Sequence, residues 1–453
     1  LAFATSSANA ATHANRAKRD SPPIKHVIVV SMENRTPDNL FCTAYPAFAN
    51  PSQAGQPFPG MDLQCPPVDP ANWTSLASPF DPGHSYPELV AEWDNGALDG
   101  FYNDPVFTIS GQQISIPGFT ETVVPPNETP IYSLLAATYV IGDRMFSSGL
   151  VPSFPGHQYM FAAQSTASDD PDTSIWGCDA PPSSLVSTFG PNNTPGPPIF
   201  PCLDYNSLAD LMDAKHLGWK YYTDRPLTTG GNIDALGAIH HLRYGPDFKE
   251  HAVFPEVAVE SALEHCNLPA VSFVNAPPFA SDHSGTLSAG GPAFVGDLYL
   301  VLAETELQTR SKCRYYNDTA MIVTWDDSGG WSDHVAPAID PQTGRPYGLR
   351  VPILALSPYA NHPPSYPVYV AHDTFTFGSI VRYVEDTFKL GSLGLQDAEA
   401  TDLASGDAGA LINYDQQPIP PLTGLARKRF ENEIRKAKAR IHTPPGTPVD
   451  TDR

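Results

Sequence analysis

The chain has 453 residues, 41% of them apolar, which is enough for a substantial core and excludes disorder over most of its length. Its net charge of −23 repels polyanions, which makes it a poor match for nucleic acid or an anionic bilayer, although the same charge also serves solubility alone. No later run reaches the roughly eighteen apolar residues of a membrane span, and nothing in the sequence sets the number of subunits.

In chain order, residues 1–23 read as the end of an export signal and a polar leader. Ala8-Asn9-Ala10 has the small-x-small form of a signal-peptidase site, and Lys18-Arg19 forms a dibasic pair. The expected location is secreted or periplasmic. Residues 24–420 read as a single catalytic domain with insertions. It opens on the continuous β-branched run from His26 to Met32, the pattern of a strand buried on both faces. Similar runs recur from Trp219 to Tyr222, Ala270 to Val274, Ala320 to Trp325 and Val351 to Leu356. Helical patterns lie between them, from Leu208 to Ala214 and from Phe294 to Leu307. This alternation predicts an α/β fold with a doubly wound, mostly parallel central sheet. Residues 43–82, 105–130 and 165–206 are rich in Pro, Ser, Asn and Gly and read as long loop insertions around a site. Residues 421–453 form an appendage, a basic helix with Arg427, Lys428, Arg429, Arg435, Lys436, Lys438 and Arg440, then a Pro-rich tail. That helix reads as a solvated surface element.

The six cysteines are Cys42, Cys65, Cys178, Cys202, Cys266 and Cys313, with no CxxC pair, so disulfides are favoured over zinc in an exported chain. Sequential pairing is expected, since each pair brackets an irregular loop. Asn72, Asn127, Asn192 and Asn317 head glycosylation sequons, which matter only in a eukaryotic host.

In an open α/β sheet, ligands bind beyond the carboxyl ends of the strands. The first run leads into Glu33-Asn34-Arg35-Thr36, and the run ending at Trp325 leads into Asp326-Asp327-Ser328-Gly329-Gly330. Alone, either segment reads as a turn or a helix cap. Together they place three carboxylates and an amide at one edge, which calls for one divalent cation: Mg²⁺, Mn²⁺ or Ca²⁺ by oxygen preference, with Fe²⁺ or Zn²⁺ also open. Histidines form the next layer: His84, the pair His240-His241, His283 and, in a second tier, His334. His216, His265, His362 and His442 read as surface or core residues.

With these pieces assembled, the chain resembles the phosphoesterase family of bacterial phospholipases C and Francisella-type acid phosphatases, within the alkaline-phosphatase-like superfamily. The segments that carry the resemblance are Lys25 to Thr36, Asp81-Pro82-Gly83-His84, Leu98 to Phe101, Asp143 to Pro155, Val323 to Val335 and Gly348 to Tyr359. The resemblance implies an alkaline-phosphatase-like sheet and a metal ion held by Glu33, Asn34, Asp326, Asp327 and the nucleophile Ser153. It also implies that His84, His240-His241 and His283 surround the phosphoryl group, His283 or His84 protonating the leaving alcohol. The chain departs from the family pattern at Pro37 and at Pro155-Gly156-His157, where Pro-Asn-Arg is usual. Serine rather than threonine at 153, and the lack of sizeable C-terminal lipid-binding domains, lean toward the phosphatase branch.

Three functions follow as expectations. The first is an acid phosphatase acting on small phosphomonoesters through a phosphoseryl intermediate. The second is a phospholipase C, the same chemistry on a phospholipid diester, with Trp176, Tyr205, Trp219, Tyr221 and Tyr222 as an apolar approach. The third is a non-catalytic exported surface protein that keeps its metal, against which the intact set of site residues argues.

Overall fold

The apolar run His26–Met32 forms strand β1 of the computed structural model, which describes residues 22–45, 51–225, 233–308, 313–363 and 368–441. The signal-peptidase and dibasic motifs, the segment Gly230-Gly231-Asn232 and His442 lie outside those residues. The main sheet continues with β2 (Val140–Gly142), β3 (Trp219–Tyr222), β4 (Ala252–Val253), β5 (Val271–Asn275), β6 (Thr319–Trp325), β7 (Ile353–Leu356) and β8 (Val370–Ala371). Its spatial order is β4-β3-β5-β1-β6-β7-β2-β8. Every neighbouring pair is parallel except those made by β7, which runs antiparallel to both β6 and β2. The fold is therefore mixed α/β with a mostly parallel central sheet, as the sequence implied.

The main helices are α1 (Pro37–Phe41), α2 (Tyr86–Trp93), α3 (Pro130–Thr138), α4 (Ser153–Ala162), α5 (Leu208–Ala214), α6 (Ala258–Glu264), α7 (Gly291–Leu307), α8 (Phe377–Phe388) and α9 (Gly424–Lys438). Successive strand side chains point to opposite faces, and every residue of β6 and all of β1 after His26 are buried. Both faces of the sheet are thus covered, which is why these strands read as continuous apolar runs and not as alternating ones. One set of mutually packed helices contains α3, α6, α7 and α9, and another contains α4 and α8. The C-terminal helix α9 corrects the expectation of a wholly solvated element. Phe430, Ile434 and Ala437, spaced by four and three residues, are buried on the α7 side, while Arg427 and Lys438 pair with Glu304 and Asp297 of α7.

The insertions fold locally. Phe80–Pro82, Val106–Thr108 and Gln113–Ile114 form a small antiparallel sheet, and Val186–Phe189 pairs with Pro195–Ile199. The three disulfides are Cys42–Cys65, Cys178–Cys202 and Cys266–Cys313, the sequential pairing expected. Cys266–Cys313 closes 47 residues containing β5, α7 and the loop between them. Replacing both cysteines by alanine is expected to lower the unfolding free energy by about 4 kcal/mol, read from urea denaturation. An unchanged midpoint would show that this loop is constrained by packing alone.

Candidate active site

The register of β1 against β6 pairs Met32 with Trp325, so Glu33 and Asp326 leave the sheet side by side. The backbone then locks both exits. Asp326 N–H donates to Met32 O at 3.0 Å, Glu33 N–H to Ser281 O at 2.7 Å, and Arg35 N–H to Asp327 O at 3.2 Å. Asn34 adopts a left-handed conformation, with φ of 59°, and its N–H donates to Asp326 Oδ1 at 3.1 Å. The turn after Asp327 has to pass very close to it. A Cβ on Gly329 would lie 2.3 Å from Asn34 Cβ, and one on Gly330 would lie 2.4 Å from Gly83 O. Both glycines also have positive φ, so the Gly-Gly pair answers two demands at once.

Ser153 arrives from elsewhere in the chain. It is the first residue of α4, with Pro152 at the N-cap, and its side chain is fully buried. Its Oγ donates toward Glu33 Oε2 at 3.3 Å and Asp327 Oδ2 at 3.5 Å. Prolines at 152 and 155 flank this serine without breaking the helix, because a proline near the start of a helix costs no hydrogen bond. Gly156 allows α4 to lie against the end of β6, since a Cβ there would sit 2.9 Å from Asp326 O.

His157, one helical turn from Ser153, was not among the residues singled out by the sequence. Its Nε2 lies 3.4 Å from Glu33 Oε1 and 3.6 Å from Asp326 Oδ2. The four-residue spacing from Ser153 was the available signal, because such residues share a helix face. Burial would lower the His157 pKa, but Asp326 and Glu33 outweigh it and hold the imidazole up at about 10. Burial and the Asp326 charge push Glu33 up to about 7 against the pull of His157. Asp326 moves the other way: burial opposes its ionisation, yet the His157 contact keeps it below the usual carboxylate range.

This set fits a cation. Asn34 Oδ1 and Asp326 Oδ2 are buried without a hydrogen-bond partner among the described residues. Glu33, His157 and Asp326 each present a ligand atom, all within 4.8 Å of one another. Glu33, Asn34, Asp326, Asp327 and Ser153, the residues expected to hold the metal, are brought together.

His84 and His283 adjoin the cluster. His84 Nε2 lies 3.2 Å from Asn34 Nδ2, and the two imidazole rings meet edge to face at 5.8 Å. His240 and His241 are not brought there. They lie on the short helix His240–Tyr244, where His240 is exposed and His241 is held at the surface by Asp204 at 2.6 Å and Asp210 at 3.0 Å. His334 belongs to a separate network: it contacts Asp38 at 2.7 Å and Asp62 at 3.2 Å, while Arg350 spans Asp333 and Asp38. The aromatic residues proposed as an apolar approach are packing residues. Trp219, Tyr221 and Tyr222 belong to the core through β3, and Trp176 and Tyr205 pack with Phe154 and Leu203.

The loop after β5 is pinned from two sides. Arg35 Nε and Nη2 donate to Asp282 O at 3.0 and 2.7 Å, and the Asp282 carboxylate accepts from Tyr132 Oη at 2.6 Å and Trp325 Nε1 at 3.2 Å. Burial raises the Asp282 pKa to about 6, partly offset by Tyr132 and Arg35. A carboxyl whose folded pKa lies above its unfolded value favours folding below the unfolded pKa, and that contribution is lost as pH rises through the folded one. Relative to the native chain, Asp282→Asn should therefore gain up to about 3 kcal/mol between pH 4 and 7 and then level off. Urea unfolding across that range measures it, and a pH-independent difference would contradict the assigned shift.

The model of the Phosphoesterase family matches residues 24–391. Phospholipase C B of Mycobacterium tuberculosis is 25% identical over 457 residues, covering 90% of this chain and 81% of that protein. Non-specific phospholipase C6 of Arabidopsis thaliana is 26% identical over 364 residues, covering 74% of this chain and 62% of its own. Among solved structures, a protein in the alkaline phosphatase superfamily from Vibrio parahaemolyticus aligns over 94% of this chain and 90% of its own. Its TM-score of 0.37 and 8% identity are too low to support any argument.

Proposed function

The chain belongs to the Phosphoesterase family and is a hydrolase of phosphoric ester bonds, and on that premise we propose that Ser153 is its nucleophile and that the ester passes through a phosphoseryl intermediate. The observation that carries this reading is the position of Ser153 Oγ, at the first turn of α4 and within 3.5 Å of carboxylates from both strand ends. Glu33, Asn34, Asp326 and Asp327 would hold a divalent cation with Ser153. Bound there, such an ion lowers the pKa of the serine hydroxyl and neutralises phosphoryl charge.

The residues of the chain supply the rest. Glu33 or Asp327 takes the Ser153 proton as Oγ forms its bond to phosphorus, and the ester P–O bond breaks in line. The leaving oxygen departs toward His283 or His84, one of which, as the imidazolium, gives it a proton as the P–O bond breaks. Water then attacks phosphorus from the side the leaving group vacated, which releases phosphate and restores Ser153.

The preferred substrate is a small phosphomonoester, as for an acid phosphatase, because the aromatic residues that would have formed an apolar approach are spent on packing. Phospholipase C activity is the second reading, favoured by the names of the relatives, which are phospholipases C over most of this chain. Export of the protein remains part of the proposal, in keeping with its three disulfides.

Two measurements test this. Ser153→Ala should abolish a phosphoenzyme trapped from labelled substrate and lower kcat by at least about a thousandfold, the scale of loss on removing a nucleophile. A label still accumulating on the variant would refute the assignment. Turnover of a phosphomonoester should exceed that of phosphatidylcholine, and the reverse order would favour the phospholipase reading.

A further inference from the structure

A small cavity lies among the segments that carry the active-site residues. Tyr86, the first residue of α2, lines it together with Ser148, Tyr159 of α4, Phe189 and Arg345. Tyr86 stands two residues after His84, Ser148 five before Ser153, and Tyr159 six after it, so the cavity is built on the same stretches of chain as the site. The space holds about one water-sized body.

Two hydroxyls on this cavity have nothing to bond. Tyr86 and Ser148 are each 2% exposed, and Tyr86 Oη and Ser148 Oγ are buried without a hydrogen-bond partner among the described residues. A buried hydroxyl without a partner costs free energy, and two of them on one cavity point to a body that accepts from both. Burial raises the pKa of both phenols, Tyr159 to about 12, so each keeps a hydrogen to donate. The charge around the cavity says what kind of body fits. Although the chain carries −23, no carboxylate is among the lining residues, and the one formal charge there is the half-buried guanidinium of Arg345. Arg345 lies 4.0 Å from the centre of the Phe189 ring, and its charge is felt at the Tyr86 and Tyr159 hydroxyls. Among the described residues it has no ion pair with a carboxylate.

We infer that Tyr86, Ser148 and Arg345 form a binding site for one small monovalent anion of the size of chloride. A water molecule would satisfy the two hydroxyls but would leave the guanidinium without a counter-charge. An anion answers both demands, accepting from Tyr86 Oη and Ser148 Oγ and pairing with Arg345. A polyatomic oxyanion such as phosphate exceeds the space of one water, so this site is distinct from the one that takes the ester. The inference stands on the cavity alone and does not depend on the phosphoester reading. Bound there, the anion is a shared partner for the start of α2 and for the segment that leads to Ser153.

Halides test this in two ways on the full-length protein. Crystals soaked in sodium bromide should show an anomalous peak between Tyr86 Oη, Ser148 Oγ and Arg345, and the peak should be absent from Arg345→Gln. In solution, the thermal midpoint is followed as sodium chloride replaces sodium gluconate at constant ionic strength, which leaves screening unchanged. A saturable rise of about 2 °C in the native chain, lost in Arg345→Gln and in Tyr86→Phe, supports the proposal. Circular dichroism verifies folding, and Arg345→Gln, at a half-buried position, carries the test alone should Tyr86→Phe misfold. A water in place of bromide, or the same chloride response in the native chain and the variants, overturns the proposal. A bromide peak with no chloride response in solution means binding at crystal concentration only, and overturns it as well.

Discussion

The pairing of Met32 with Trp325 across β1 and β6 is the constraint on which the site depends. A shift of one residue along either strand would separate Glu33 from Asp326 and turn one of them to the other face of the sheet. Once they are adjacent, two buried carboxylates repel each other, by about 4 kcal/mol at 4 Å in a medium of effective dielectric 20. The rest of the site can be read as the chain's answer to that repulsion.

The answer comes largely from one helix. Its first residue offers the hydroxyl of Ser153, and its second turn offers the His157 cation. Gly156 lets the helix approach closely enough for both to work. The departure from the family pattern at Gly156-His157 therefore has a physical reason: the glycine removes a clash with the Asp326 backbone, and the histidine supplies charge. Around this centre, Arg35 and Tyr132 tie down the loop bearing His283, and the Arg350 network ties down the chain that follows Asp327.

The strands that position the site were legible because burial on both faces writes itself as an unbroken apolar run. The runs at His26, Trp219, Ala270, Ala320 and Val351 all proved to be strands of the main sheet, within a residue or two at their ends. The strands Val140–Gly142, Ala252–Val253 and Val370–Ala371 escaped notice, since two or three residues cannot display a period. The antiparallel course of β7 was equally invisible, because apolar periodicity carries no direction. Glu33, Asn34, Asp326 and Asp327 were found from their positions at strand ends, and Ser153 only through the family resemblance. His240-His241 shows the limit of that method, since the order of motifs along a chain says nothing about which way a surface helix faces. Asp81 stood inside a recognised motif, yet its meeting with His283 joins segments far apart in the chain, and no local pattern encodes that meeting.

His157 has one more consequence. A pocket built of acids would normally resist closing until a metal arrived, and folding would then wait upon metal supply. Here an imidazolium belonging to the chain already sits between Glu33 and Asp326. The charge balance at the two strand ends is therefore carried by a residue of the chain itself, and His157 ties the second turn of α4 to both strands at once.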